Sequence, residues 1–217
     1  MKAARPILLL ALLLRLTLAA PAAPGELDRL DPADPAWTAL AARLGREPDG
    51  VAEFEEERTF RFRSKPVLLA GIARVSARHG LSLEYTRPEP RIVIVDSAGV
   101  LFREPGGDRA APRDPRARLM NEAMLHVLRF DLAALGREFD LEGGHGAEGW
   151  QLALRPRSAE LRRTLSSIEA RGDETGVRRL VLRRADRQTI EIRIGAPRPM
   201  RGGFPAEDVR RFFRGSP

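Results

Sequence analysis

From residue 50 onward the chain alternates apolar and polar positions in short runs separated by turn residues. In "FEEERTFRFR", residues 54–63, one face of an extended strand carries Glu55, Glu57, Thr59, Arg61 and Arg63, all polar. The other face carries Phe54, Glu56, Arg58, Phe60 and Phe62, three aromatics with an acid and a base between them. The run "VLLAGIARVS" sets Val67, Leu69, Gly71, Ala73 and Val75 on one apolar face, and "LSLEY" alternates Leu81, Leu83 and Tyr85. "RIVIVD" is apolar on both faces, as a strand covered on both sides would be, and "GVLFRE" follows a turn at Ser97 to Gly99. Short strands at this spacing predict an antiparallel meander.

Three stretches break the period of two. "DPAWTALAARLG" predicts a helix with Asp34 as N-cap, Pro35 in the first turn, Gly45 at the end, and Trp37, Leu40 and Leu44 on one stripe. A Pro/Gly-rich loop is expected over 105–117. After it, "RLMNEAMLHVLRF" places Leu119, Met120, Ala123, Met124, Val127 and Leu128 at helical spacing. "DLAALGREF" predicts a second short helix capped by Asp131. Strands resume in "EFDLEG", "GWQLALRP" and "RRTLSSIEARG", followed by a hairpin from "VRRLVLRR" through Ala185-Asp186-Arg187 to "TIEIRIG". That last strand is expected to bury Ile190, Ile192 and Ile194 and expose Glu191 and Arg193. "PAEDVRRFFRG" reads as a final helix with Val209, Phe212 and Phe213 on one side. The fold class is α+β with an antiparallel sheet and a helical insertion midway through it.

Residues 1–22 change the picture. Lys2 and Arg5 precede an apolar run from Pro6 to Ala20, and Ala20-Pro21-Ala22 forms a small-residue cleavage site before Ala23. That layout predicts a cleaved secretory signal, with 23–217 as a single mature domain. The run is interrupted by Arg15 and is short for a spanning helix of about 20 residues. Export to the periplasm is the expected localisation. With no cysteine in the sequence, neither a disulfide nor a lipid-modified cysteine is available. Loss of Lys2, Arg5 and Arg15 with the leader lowers the formal charge from +7 to +4. The bases lie among thirty acids, which reads as a solvated Arg/Glu surface and not as a nucleic-acid footprint.

The chemistry of the sequence points away from catalysis. It has no G-x-S-x-G elbow, no P-loop, no dinucleotide fingerprint and no nucleophilic cysteine. His79, His126 and His145 are scattered, without a second ligand at metal spacing, so neither a metal nor a cofactor is expected. "GGHGAEG", residues 143–149, lies between two strands and reads as a hairpin loop.

Several residues together resemble the periplasmic outer-membrane lipoprotein carrier family, the LolA-like proteins. They are Phe54-x-Glu56-x-Arg58, Pro66, Gly71-x-Ala73-x-Val75, the apolar strand ending at Asp96 and Gly99, and Trp150-x-Leu152-x-Leu154-x-Pro156. The two-helix insertion adds to the likeness, which covers about Trp37 to Ile194. It implies an incomplete, strongly curved antiparallel barrel, a half-barrel whose helices form a lid over a hydrophobic cavity. It also implies a non-enzymatic carrier of acylated lipoproteins or lipids, with an inner-membrane exporter and an outer-membrane acceptor as partners. A monomer is expected. On this footing Phe54, Phe60, Phe62, Leu69, Val75, Leu83 and Ile94 become wall residues, and Met120, Met124 and Leu128 belong to the lid. Methionine repacks easily, which suits a cavity that must release its contents.

One departure is informative. Family carriers place an Arg-Pro pair after the second strand, where the arginine latches the lid; counting from Gly71, those positions are Ala77 and Arg78 here. Arg78 is the candidate latch, and the mismatch favours a divergent branch whose cargo is a glycolipid or another acylated molecule. Glu56 and Arg58 are open to three readings: a buried pair, a polar rim meeting a headgroup, or side chains that snorkel to water. The alternative function is a periplasmic lipid-sensing adaptor that binds a membrane protein. A hydrolase built on the carboxylates is the weakest reading.

Overall fold

The computed structural model describes residues 27–44, 49–112, 115–146 and 149–214. The expected signal at 1–22 and the helix stop at Gly45 lie outside them. The chain runs β1 (Asp28–Arg29), α1 (Pro35–Leu44), β2 (Gly50–Thr59), β3 (Val67–Ser76), β4 (Gly80–Arg87), β5 (Arg91–Asp96), β6 (Gly99–Glu104) and β7 (Gly107–Ala110). It continues through α2 (Pro115–Leu128), α3 (Leu132–Glu138), β8 (Phe139–Gly146), β9 (Gly149–Pro156), α4 (Ala159–Arg162), β10 (Leu165–Asp173), β11 (Gly176–Arg184), β12 (Thr189–Ile194), β13 (Arg198–Pro199) and α5 (Ala206–Phe212).

All thirteen strands found among the described residues belong to one antiparallel sheet, ordered β1-β8-β9-β10-β11-β12-β2-β3-β4-β5-β6-β7, with β13 pairing on β2. Two meanders are therefore stitched together at β12 and β2, and the helical insertion α2–α3 crosses between them. The end strands β1 and β7 do not meet, so the sheet curls without closing, an open barrel. Its concave face and the helices α1, α2 and α3 enclose the main core, which includes Trp37, Phe54, Phe130, Phe139, Trp150, Leu154 and Ile168.

Local sequence explains the pieces. Asp34 Oδ1 accepts from the backbone N–H of Ala36 at 2.8 Å, starting α1, and Asp131 Oδ1 accepts from that of Ala134 at 3.0 Å, starting α3. On β3, Gly71 stands opposite Phe54 of β2 and Tyr85 of β4, so two rings meet edge to face over it at 5.2 Å. A Cβ at Gly71 would lie 2.0 Å from the Glu84 carbonyl oxygen, so the sheet admits no larger residue there.

The second apolar face of "RIVIVD" has its cause on the far side of the sheet. α5 covers the convex face of β3–β6: the Arg74 guanidinium sits 3.4 Å from the centre of the Phe212 ring, and Arg103 Nη1 donates to the Arg211 carbonyl at 2.7 Å. Arg214 Nε donates to Asp96 Oδ2 at 2.8 Å. Val93 and Val95 face inward while Ile94, fully buried, faces the α5 side, in register with Ser82 and Leu101.

The elements depart from expectation at several points. The strand expected over 54–63 stops at Thr59, and 60–66 form a loop. The segment expected to be loop at 105–117 holds the short strand β7, and α2 starts earlier than expected, at Pro115. The strand predicted for "RRTLSSIEARG" starts later than expected, at Leu165, because α4 ends at Arg162 and a turn follows it. β1, β13 and α4 are two to four residues long, too short to impose a period on the sequence.

Candidate functional site

Between the concave face and the C-terminal half of α2 lies a cavity of about 140 Å³. Its floor is strand-borne: Phe54 from β2, Ala73 and Val75 from β3, Leu81 and Leu83 from β4, Leu180 from β11, and Ile192 and Ile194 from β12. Met124 and Leu128 of α2 form the roof. Leu44, Arg129, Thr175 and Pro197 stand where it opens, at the end of the strands near Gly50 and the β10–β11 turn. The wall is apolar because period-two alternation puts the aliphatic half of each strand on this face.

Arg129 closes the mouth. It follows α2 directly, and its Nη2 donates to the backbone carbonyl of Ser76, the last residue of β3, at 2.9 Å. The next residue, Phe130, adopts φ +55, a conformation that bulky side chains rarely take. Its ring stacks on Trp37 at 6.0 Å and meets Trp150 edge-on at 4.7 Å. These contacts hold the α2–α3 junction against α1 and β9.

Near the other end of the same face lies a polar cluster. Glu56 is 3% exposed. Its Oε2 accepts from the Tyr85 hydroxyl at 2.6 Å, and its Oε1 accepts from Arg58 Nε. Arg58 Nη2 also donates to the Tyr85 oxygen at 3.4 Å, and the Arg91 guanidinium lies 5.0 Å from the Tyr85 ring centre. Burial pushes the Tyr85 hydroxyl well above its ordinary pKa, and the neighbouring Glu56 pushes it further. Burial works against the Arg58 charge, but the Glu56 contact outweighs it and holds the guanidinium more firmly protonated than usual. Glu56 and Arg58 are therefore a paired group, with Glu56 buried and Arg58 partly open to water.

The residues expected to line the cavity separate into three groups. Phe54, Val75, Leu83, Met124 and Leu128 do line it. Leu69 and Met120 pack into the main core on the same side of the sheet. Phe60, Phe62 and Ile94 lie elsewhere: β2 ends before the two phenylalanines, leaving Phe62 81% exposed in the loop, and strand parity turns Ile94 to the convex face. Arg78 is exposed beyond the end of β3, with its backbone N–H on Ser76 Oγ at 3.3 Å, so it is not the residue that reaches the lid. Arg129 makes that connection in the opposite sense, from lid to strand. Its signal in the sequence was a lone base just past the apolar stripe of a helix.

Among the described residues no group of three or more His, Cys, Asp or Glu side chains is arranged to hold a metal ion. No helix among them is long and apolar enough to cross a membrane.

The chain matches no protein-family model and no curated protein. Among solved structures it is similar to a DUF1329 family protein from Desulfovibrio piger, with 11% identity and a TM-score of 0.45 over 83% of this chain and 97% of that one. It is similar to a LolA superfamily protein from Nitrosomonas europaea at 7% identity and a TM-score of 0.43, covering 79% of this chain and 96% of the other. It is also similar to the Pseudomonas aeruginosa MucA/MucB complex structure, at 17% identity and a TM-score of 0.42 over 80% of this chain and 58% of that chain.

Proposed function

We propose that this protein is a periplasmic carrier that takes one or more acyl chains of a lipid or lipoprotein into the cavity beneath α2 and carries them through water. The observation behind the reading is the cavity: an aliphatic strand floor, a methionine-bearing roof and a closure made at Arg129. A long acyl chain loses on the order of 10 kcal/mol when it leaves a membrane for water, and an apolar wall restores most of that. The leader-like segment at 1–22 supports export.

The closed cavity, about 140 Å³, is smaller than the roughly 300–1,000 Å³ of ordinary ligand pockets. Loading therefore requires α2 to lift away from the sheet. Met124 and Leu128 then exchange contacts with Leu83 and Ile192 for contacts with the cargo, so the apolar burial lost on opening is recovered on loading. Neither the binding of substrate nor its release needs bond chemistry, and the protein is read as a binding protein.

The test is native mass spectrometry of protein purified from a periplasmic extract, followed by lipid extraction and titration with a fluorescent fatty acid. A co-purifying acylated species and saturable probe uptake that is weakened by Met124→Gln support the carrier. A bare mass with no probe uptake overturns it in favour of the lipid-sensing adaptor, and the search turns to a membrane-protein partner.

A further inference from the structure

Phe62 and Leu68 are the large apolar side chains most open to solvent among the described residues, at 81% and 66%. Phe62 lies in the β2–β3 connection and Leu68 is the second residue of β3, just beyond it. The loop 60–66 reads Phe-Arg-Phe-Arg-Ser-Lys-Pro, three bases interleaved with two aromatics and no acid. Phe60 and Phe62 pack together with ring centres 5.4 Å apart, and Arg63 lies over the Phe60 ring at 6.0 Å. Arg61, Arg63 and Lys65 are all exposed. The strand order sets the β4–β5 and β11–β12 turns on either side of this loop. Across residues 60–66, 87–91 and 184–188 there are seven bases and two acids, Glu89 and Asp186. The nearest acid on β2 is Glu57, which stands opposite Leu68 on the outward face.

An amphipathic loop of this composition has no use for its aromatics in water, and its charge selects the surface that would cover them. We propose that the β2–β3 loop docks the protein on bilayers containing anionic phospholipid. Phe62 enters the interface between headgroups and acyl chains, with Phe60 beside it, and Arg61, Arg63 and Lys65 bind headgroup phosphates. Anionic phospholipid supplies both halves of the match, phosphates for the bases and an acyl boundary for the exposed ring of Phe62. The loop lies at the opposite end of the strands from the cavity mouth at Arg129, so docking and cavity filling are separable properties.

The test is flotation of the purified protein with vesicles of phosphatidylcholine mixed with phosphatidylglycerol, and with vesicles of phosphatidylcholine alone. Binding to the mixed vesicles and not to the neutral ones is expected. Each basic side chain near the surface contributes about fivefold to partitioning, so Arg61→Ser with Arg63→Ser lowers it by about 25-fold. Phe62→Ser lowers it by about tenfold or more. Phe62 is exposed, so its variant keeps the wild-type far-UV spectrum. Met124→Gln, which changes the cavity alone, leaves partitioning unchanged. Three results each overturn the proposal: no binding to mixed vesicles, binding that ignores Phe62→Ser, or binding that follows Met124→Gln.

Discussion

The Tyr85 hydroxyl donates to Glu56 Oε2 at 2.6 Å, reaching across the strand between them. Gly71, with no side chain on that intervening strand, leaves the space in which Tyr85 also meets Phe54. An acid and a base can sit among the apolar residues of β2 because Glu56, Arg58 and Tyr85 satisfy one another.

Removing the acid breaks that group. Glu56→Leu leaves the Tyr85 hydroxyl and part of the Arg58 guanidinium without their acceptor on the inner face. Arg58 keeps partial access to water, which moderates the cost. The expected loss is about 2–4 kcal/mol, read as a lower urea midpoint at constant slope. A midpoint within error of wild type would show that the group is not held as described.

Tyr85 is the sole tyrosine of the chain, so ultraviolet titration reports it alone. Its folded pKa is raised by burial and by Glu56, whereas an unfolded tyrosine titrates near 10. The stability tied to this shift is fully present below about pH 10 and is lost as pH rises from there through the folded value. Native protein is expected to show no tyrosinate absorbance at pH 10 while urea-unfolded protein is about half ionised. Tyr85→Phe flattens the alkaline fall in stability that this group causes.

Arg129 ties the end of α2 to β3 through one partly buried hydrogen bond to the Ser76 carbonyl, worth about 1 kcal/mol. Arg129→Met keeps the stem and removes the donor. Faster amide exchange in the C-terminal half of α2 is expected, with faster uptake of a fluorescent fatty acid and little change in global stability. Unchanged exchange there would mean that the contact does not restrain the lid.

Met124 and Leu128 roof the cavity, so a polar atom at 124 faces aliphatic groups. Met124→Gln preserves length and is expected to weaken acyl-probe binding about tenfold, the cost of an unpaired amide in an apolar site. The same substitution at exposed Leu68 should leave probe affinity as it was.

Gly71→Ala drives a methyl group into the Glu84 carbonyl, 2.0 Å from its oxygen. A destabilisation of about 3 kcal/mol or more is expected, because the obstructing atom is backbone and cannot rotate away. A thermal midpoint like that of wild type would mean that β3 and β4 separate easily at the bulge beside Thr86.

Much of the fold is legible in the chain. Strands β3, β4 and β12 declare themselves through alternation, β5 through an unbroken apolar run, and β6, β8, β9 and β11 as short runs between turn residues, while the capping aspartates mark α1 and α3. The wall residues Phe54, Val75 and Leu83 follow from the same parity. What failed was the extrapolation of parity past its element. Phe60 and Phe62 keep the alternating pattern after hydrogen bonding to the neighbouring strands has ended, and a sequence does not mark that stop. Ile94 misled for another reason: "RIVIVD" shows two covered faces without saying which one is concave, and α5 decides that from more than a hundred residues away. The latch was misplaced because Arg129 acts through a tertiary contact with main chain, which leaves no periodic trace.

That contact has a further consequence. The lid is tied to the carbonyl of residue 76 and not to its side chain. Every residue type supplies that oxygen, so the receiving half of the clasp is immune to point substitution, and the giving half rests on a single position. The polar part of the closure is thus set at one site: a long donor at 129 keeps it and a short or greasy residue loses it. The apolar part is shared among Met124, Leu128 and Phe130.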